Sequence, residues 1–146
     1  MNEYRDTFAS LIRFCQDFAF SMEGSGFSLK VMNLDAMNDP QEWPNQDVVG
    51  MAEFDFELDD GTIGVDMMIA ISTVEDTNNF RLNDIMNRLV NLLIPGRRIS
   101  LYDASNGKLR GFLAVQNGTR VAPPMKAKTR AIQPIMVSLL SDQTLR

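Results

Sequence analysis

Histidine is missing from the 146 residues of this chain, and cysteine and tryptophan occur once each, as Cys15 and Trp43. Without histidine the chain cannot build a Ser-His-Asp triad, a Cys-His pair or a His-ligated zinc site of its own. A single cysteine excludes an intrachain disulfide and a cysteine zinc cluster, and it fits a reducing compartment. No uninterrupted apolar run approaches the ~20 residues that cross a bilayer as a helix. Glu3 and Asp6 stand where a secretory leader would be basic, so no signal peptide is expected. Neither a G-x-x-x-x-G-K-S/T phosphate loop nor a G-x-G-x-x-G turn occurs, and Gly24-Ser25-Gly26 is an isolated glycine pair. Most enzyme classes with a readable signature are thereby removed. The expectation is a cytosol-made protein with no catalytic residues, no metal site and no cofactor.

What is present is a charge split. Residues 1–80 hold 16 Asp and Glu against Arg5, Arg13 and Lys30, a net of −13. Residues 81–146 hold Asp84, Asp103 and Asp142 against 11 Lys and Arg, a net of +8, and the two sum to the chain's −5. An apolar content of 45% with 23% charged residues is that of a folded domain rather than a disordered chain. Opposite charges in the two halves either neutralise each other inside one domain or present complementary faces to other copies.

Phe8, Leu11, Ile12, Cys15, Phe18, Ala19 and Met22 recur at three- and four-residue steps, which predicts an amphipathic helix over about Glu3–Met22, stopped by Gly24 and Gly26. Cys15 lies in that apolar stripe and reads as a buried structural thiol. Phe27–Leu34 alternates as a strand, and Asp35–Asp47, with Pro40, Pro44 and Trp43, reads as a long loop. Val48–Leu58 and Thr62–Thr73 are alternating runs joined by Asp59-Asp60-Gly61, a strong hairpin signal. The alternation puts Ala52, Phe54, Phe56 and Leu58 on one side of the first arm and Glu53, Asp55 and Glu57 on the other.

A second helix is predicted over Asn79–Leu93, ended by Pro95-Gly96. Three alternating stretches follow, Arg98–Asp103, Lys108–Gln116 and Thr119–Ala122, then a last strand over Ala131–Leu140 whose Pro134 favours an edge or a bulge. Residues 1–146 therefore read as a single α+β domain: a mainly antiparallel sheet with a long β-hairpin and two helices packed on one face, and 141–146 as a free tail.

Two constellations stand out. Glu53, Asp55 and Glu57 place three carboxylates on one strand face, the oxygen chemistry a divalent cation takes. Strand geometry spaces them about 7 Å apart, too far to converge on one ion unaided, so a solvated or intersubunit acidic face is the simpler reading. Lys126, Lys128 and Arg130 repeat the spacing with opposite sign. They form a solvated or intrachain face, a row that meets the acidic row of another subunit, or a stripe that follows nucleic-acid phosphates. An overall pI near 4.7 and the lack of aromatics among these bases weigh against tight, sequence-specific nucleic-acid binding. Trp43, between polar neighbours and beside a proline, is either an interface anchor or a cover for the domain's own core.

The order of elements resembles the tail-terminator, or tail-completion, proteins of long-tailed bacteriophages. The likeness covers about residues 3–140, with the hairpin Val48–Thr73, the helix Asn79–Leu93 and the strand Ala131–Leu140 as its main matches. It is one of order and size, because that family has no diagnostic residue motif. The extra strands from Arg98 to Ala122 and the Asp35–Asp47 loop depart from the simplest pattern. They keep a related neck or baseplate ring protein as an alternative, alongside a small non-viral binding module. The resemblance implies a structural virion protein, assembled in the host cytoplasm as a homo-hexameric ring that caps the tail tube and joins it to the neck. Its implied partners are itself, the tail tube protein and neck or connector proteins, with sheath proteins as a further candidate. Genome DNA would pass through without specific binding, and no membrane is involved. Head-to-tail packing in such a ring requires two different complementary patches, here proposed as Glu53, Asp55 and Glu57 against Lys126, Lys128 and Arg130, with Trp43 as a further contact.

Overall fold

The apolar stripe at the start of the chain does form a helix, α1 (Glu3–Glu23), with Leu11, Cys15, Phe18, Ala19 and Met22 buried along it. We describe residues 2–36 and 39–141 in a computed structural model of the protein. Gly24 caps the helix, as expected, and the stop is completed at Gly26. Gly26 takes a φ of 88°, its N–H donates to the Glu23 carbonyl, and the N–H of Phe27 donates to that of Met22. This nested pair is the Schellman arrangement, for which glycine is suited because it has no Cβ to clash at positive φ.

The strands are β1 (Leu29–Asn33), β2 (Asp47–Asp59), β3 (Thr62–Val74), β4 (Arg98–Tyr102), β5 (Leu109–Val115), β6 (Arg120–Val121), β7 (Met125–Ala127) and β8 (Arg130–Ser141), with α2 (Phe80–Leu92) between β3 and β4. They form one sheet in the order β1-β2-β3-β8-β5-β4, with β6 and β7 also pairing to β8. The β1–β2 pair is parallel and the other pairs are antiparallel. The fold is therefore the expected α+β arrangement. Helix α1 touches β1 and β2 at one end of this order and β4 at the other, so the sheet curls around it. Both helices bury their stripes in one cluster with Val49, Met51, Val65, Ile69, Leu101, Leu113 and Val137, which puts them on the same, inner face. The start of α2 is fixed by Asp76, whose carboxylate accepts the N–H groups of Arg81 and Leu82 at 3.0 and 2.8 Å. Those are donors that a helix N-terminus otherwise leaves unpaired.

Four expectations are corrected. The segment read as loop from Asp35 to Asp47 carries short 3-10 turns at Leu34–Ala36 and Pro40–Glu42, and Asp47 is already the first residue of β2. Ser141 is a buried strand residue whose hydroxyl accepts the N–H of Ile63, so it is no part of a tail; 142–146 lie outside the described residues. The strand carrying Pro134 is interior, between β3 and the β5–β7 side. Its proline is tolerated because Pro134 turns its nitrogen toward Ala122, whose N–H donates to the Pro134 carbonyl at 3.0 Å. The Ala122 carbonyl, denied a proline N–H, accepts the side-chain amide of Gln133 at 3.0 Å instead.

The fourth correction is a face. β2 slips register between Ala52 and Asp55, with Glu53 at a φ of 52°. This is a β-bulge, one extra residue on β2 that inverts the alternation beyond it. Val49 and Met51 point inward before it, and Phe54 and Phe56 pack on the same inner core after it. Ala52 therefore lies on the opposite side from Phe54 and Phe56, in an outer cluster with Met32, Leu34, Val48 and Ala70.

Candidate functional site

The bulge decides what the hairpin displays. Its extra residue is held by Asp35, whose two carboxylate oxygens both accept the Glu53 N–H at 3.1 Å. Beyond it, Asp55 and Glu57 face outward, and Asp55 lies directly opposite Asp66 of β3. Like charges facing each other across strands are unfavourable. The hydroxyl of Ser138 on β8 donates to Asp66. Among the described residues no Lys or Arg nitrogen comes within 4.0 Å of the Glu53, Asp55, Glu57 or Asp66 carboxylates. Glu53, Asp55 and Asp66, together with Met68, Met136 and Gly118, line a groove of about 400 Å³ on the outer face. Among the described residues no group of three Asp, Glu, His or Cys side chains converges as a cation would need. The three carboxylates are thus joined by a fourth, Asp66, whose one sign in the sequence is that it is the only charge in the Thr62–Val74 arm.

The basic row does not exist as expected. The chain reverses at Lys128-Thr129, because Ala127 pairs with Arg130 across a two-residue turn. Lys126 on β7 and Lys128 in the turn are exposed, and Lys128 has a φ of 57°. Arg130 is only 5% exposed and lies inside the protein. Its guanidinium donates to the carbonyls of Pro44 and Gln46 at 2.6 and 3.3 Å and to the Ser72 hydroxyl at 2.9 Å, and it stands over the Trp43 ring. Trp43 packs against the outer cluster of Met32, Val48 and Ala70, so it covers the domain's own core. Arg130 and Trp43 together hold residues 43–46 against the outer sheet face.

Part of the charge split is neutralised within the chain by residues the sequence did not single out. Arg81 grips Asp47 through two bonds of 3.0 and 3.2 Å and also lies near Asp76. Arg110 donates to Asp6 at 2.6 Å and approaches Glu3 at 3.5 Å. Of what is left over, the hairpin acids and the Lys126–Lys128 turn stand apart, although Arg120 is exposed opposite Met136 near the acids and Glu75 is exposed beside Thr129 near the lysines. Asp66 sits opposite Ser138 and Lys126 opposite Ala131, so seven steps of β8, about 23 Å, separate the acidic groove from the basic turn. The lysines and the acids of the hairpin are therefore at opposite ends of one sheet.

Comparison with models of known protein families and with curated proteins finds no match. Among the described residues no helix is long and apolar enough to cross a membrane.

Proposed function

We propose that this chain is a self-assembling structural subunit that closes into a ring by head-to-tail contacts, and that the ring is a phage tail terminator, capping the tail tube and joining it to the neck. The observation that carries the reading is the separation of the hairpin carboxylates from the Lys126–Lys128 turn along one sheet. Charges about 23 Å apart on a rigid sheet do not pair inside one subunit. A neighbour displaced along a ring brings the acidic end of one copy to the basic end of the next, and a heterologous contact of this kind closes when its rotation divides a full turn. The tail identity comes from the order of helix, long hairpin, helix and late strand. A net charge of −5 suits a channel through which DNA slides, because acidic walls repel phosphates.

Electron microscopy of the purified chain, at high protein concentration and low salt, tests the reading. Closed six-fold rings with a central opening are expected. A field of single subunits or two-fold dimers would contradict it.

A further inference from the structure

Resting on the ring reading above, we infer that the uncovered half of the outer sheet face is a socket for the Lys126–Lys128 turn of a neighbouring copy. The outer face divides into two halves. One half, with Val48, Ala52 and Ala70, is buried in the outer cluster that Trp43 packs against, and Pro134 beside it is buried too. Past the row of Ala52, Met68 and Met136, which are partners in register across three strands, the cover stops. Asp55, Glu57 and Asp66 are exposed there and Leu140 is 42% exposed.

The open half has the chemistry of a lysine socket. Met68 and Met136 make a deformable apolar floor, Glu53, Asp55 and Asp66 make an acidic wall, and the groove holds about 400 Å³. A lysine lays its aliphatic stem on such a floor while its ammonium reaches the carboxylates. Arg120 is exposed on β6 opposite Met136, on the side of β8 away from the β2–β3 carboxylates. The complementary object is the turn at the other end of the sheet. It projects Lys126 and Lys128, and among the described residues no carboxylate lies within 4.0 Å of either.

Two charge-reversed chains test this. Asp55→Lys with Asp66→Lys makes the socket basic, and Lys126→Glu with Lys128→Glu makes the turn acidic. All four positions are exposed, so both chains are expected to fold. Each alone should associate at least about tenfold more weakly than the wild type, because like charges then meet. Mixed in equal amounts they should assemble again, each socket now facing a turn of opposite sign, and native mass spectrometry should count equal numbers of the two. An independent arm uses the otherwise wild-type chain with Asp66→Cys and Lys128→Cys. These sites are too far apart to join within one copy, so oxidation should give a reducible ladder, with buried Cys15 inert. Rings that form from the wild type and equally from either reversed chain, or that give no ladder, would overturn the socket and leave the ring reading standing. A wild type that never assembles would overturn both.

Discussion

Gly50 lies on β2 opposite Met32 of β1. A Cβ built there would stand 2.4 Å from the Met32 carbonyl oxygen and 2.6 Å from Cγ of Leu34. Met32 and Gly50 are register partners, so the backbone has nowhere to retreat. Gly50→Ala should destabilise the fold by about 1–3 kcal/mol, seen as a lower urea midpoint at unchanged slope. Asp6 and Asp76 make a second residue-level case. Burial works against the charge of each. For Asp6 the Ala104 N–H and the guanidiniums of Arg110 and Arg5 outweigh it; for Asp76 the N–H groups of Arg81 and Leu82 and the Thr73 hydroxyl do so. Both carboxyls therefore titrate below the ordinary aspartate value. A depressed folded value gives stability that is full above the unfolded pKa of about 3.9 and is lost as pH falls through the folded one. Asp76→Ala should cost about 1–2 kcal/mol at pH 7 through loss of the helix cap. Unfolding curves repeated at pH 3 should show a smaller gap. At this scale the sequence misled most at Arg130. Its spacing matched Lys126 and Lys128, but the intervening turn uses Lys128-Thr129, with none of the glycine, asparagine or proline that announces a reversal.

At the level of elements, the helices and the hairpin were legible because each carries a strong period and a chemically explicit stop. Asp60 and Gly61 take φ values of 50° and 80°, as a tight two-residue turn demands. The bulge was missed, although its signal is present: the inward positions of β2 change from odd numbers (Val49, Met51) to even ones (Phe54, Phe56). The pairing of Ala52 with Met68 and of Asp55 with Asp66 leaves one residue more on β2 than on β3. Deleting Glu53 should therefore keep every later side chain on its present face. The strain removed, about 1–3 kcal/mol for a non-glycine residue held there, offsets the lost Asp35 contact. Far-UV circular dichroism and a cooperative thermal transition close to that of the parent are expected, and an unfolded deletion chain would contradict the bulge assignment. Pro134 was misjudged because the device that accommodates it, the Gln133 amide on the Ala122 carbonyl, joins residues eleven positions apart.

For the whole molecule the charge split has two fates. Arg81 and Arg110 carry positive charge from the second half onto Asp47, Asp76, Glu3 and Asp6, tying the first and second halves together around α1 and the hairpin base. Part of the remainder is displayed at the two ends of the sheet, acids beyond the bulge at one and Lys126 and Lys128 at the other. Composition alone revealed the imbalance, but only the strand register separates the internal share from the exposed one, since register depends on pairing between distant segments. An assembly joined by exposed opposite charges weakens as salt rises, because the Debye length falls from about 10 Å at 0.1 M to about 3 Å at 1 M. The most direct measurement is the solution mass of the wild-type chain by analytical ultracentrifugation, across protein concentration and from low to high salt. A species of several subunits that dissociates toward the 16.4 kDa chain as salt increases is the expected result. A 16.4 kDa particle at every concentration and salt would contradict it.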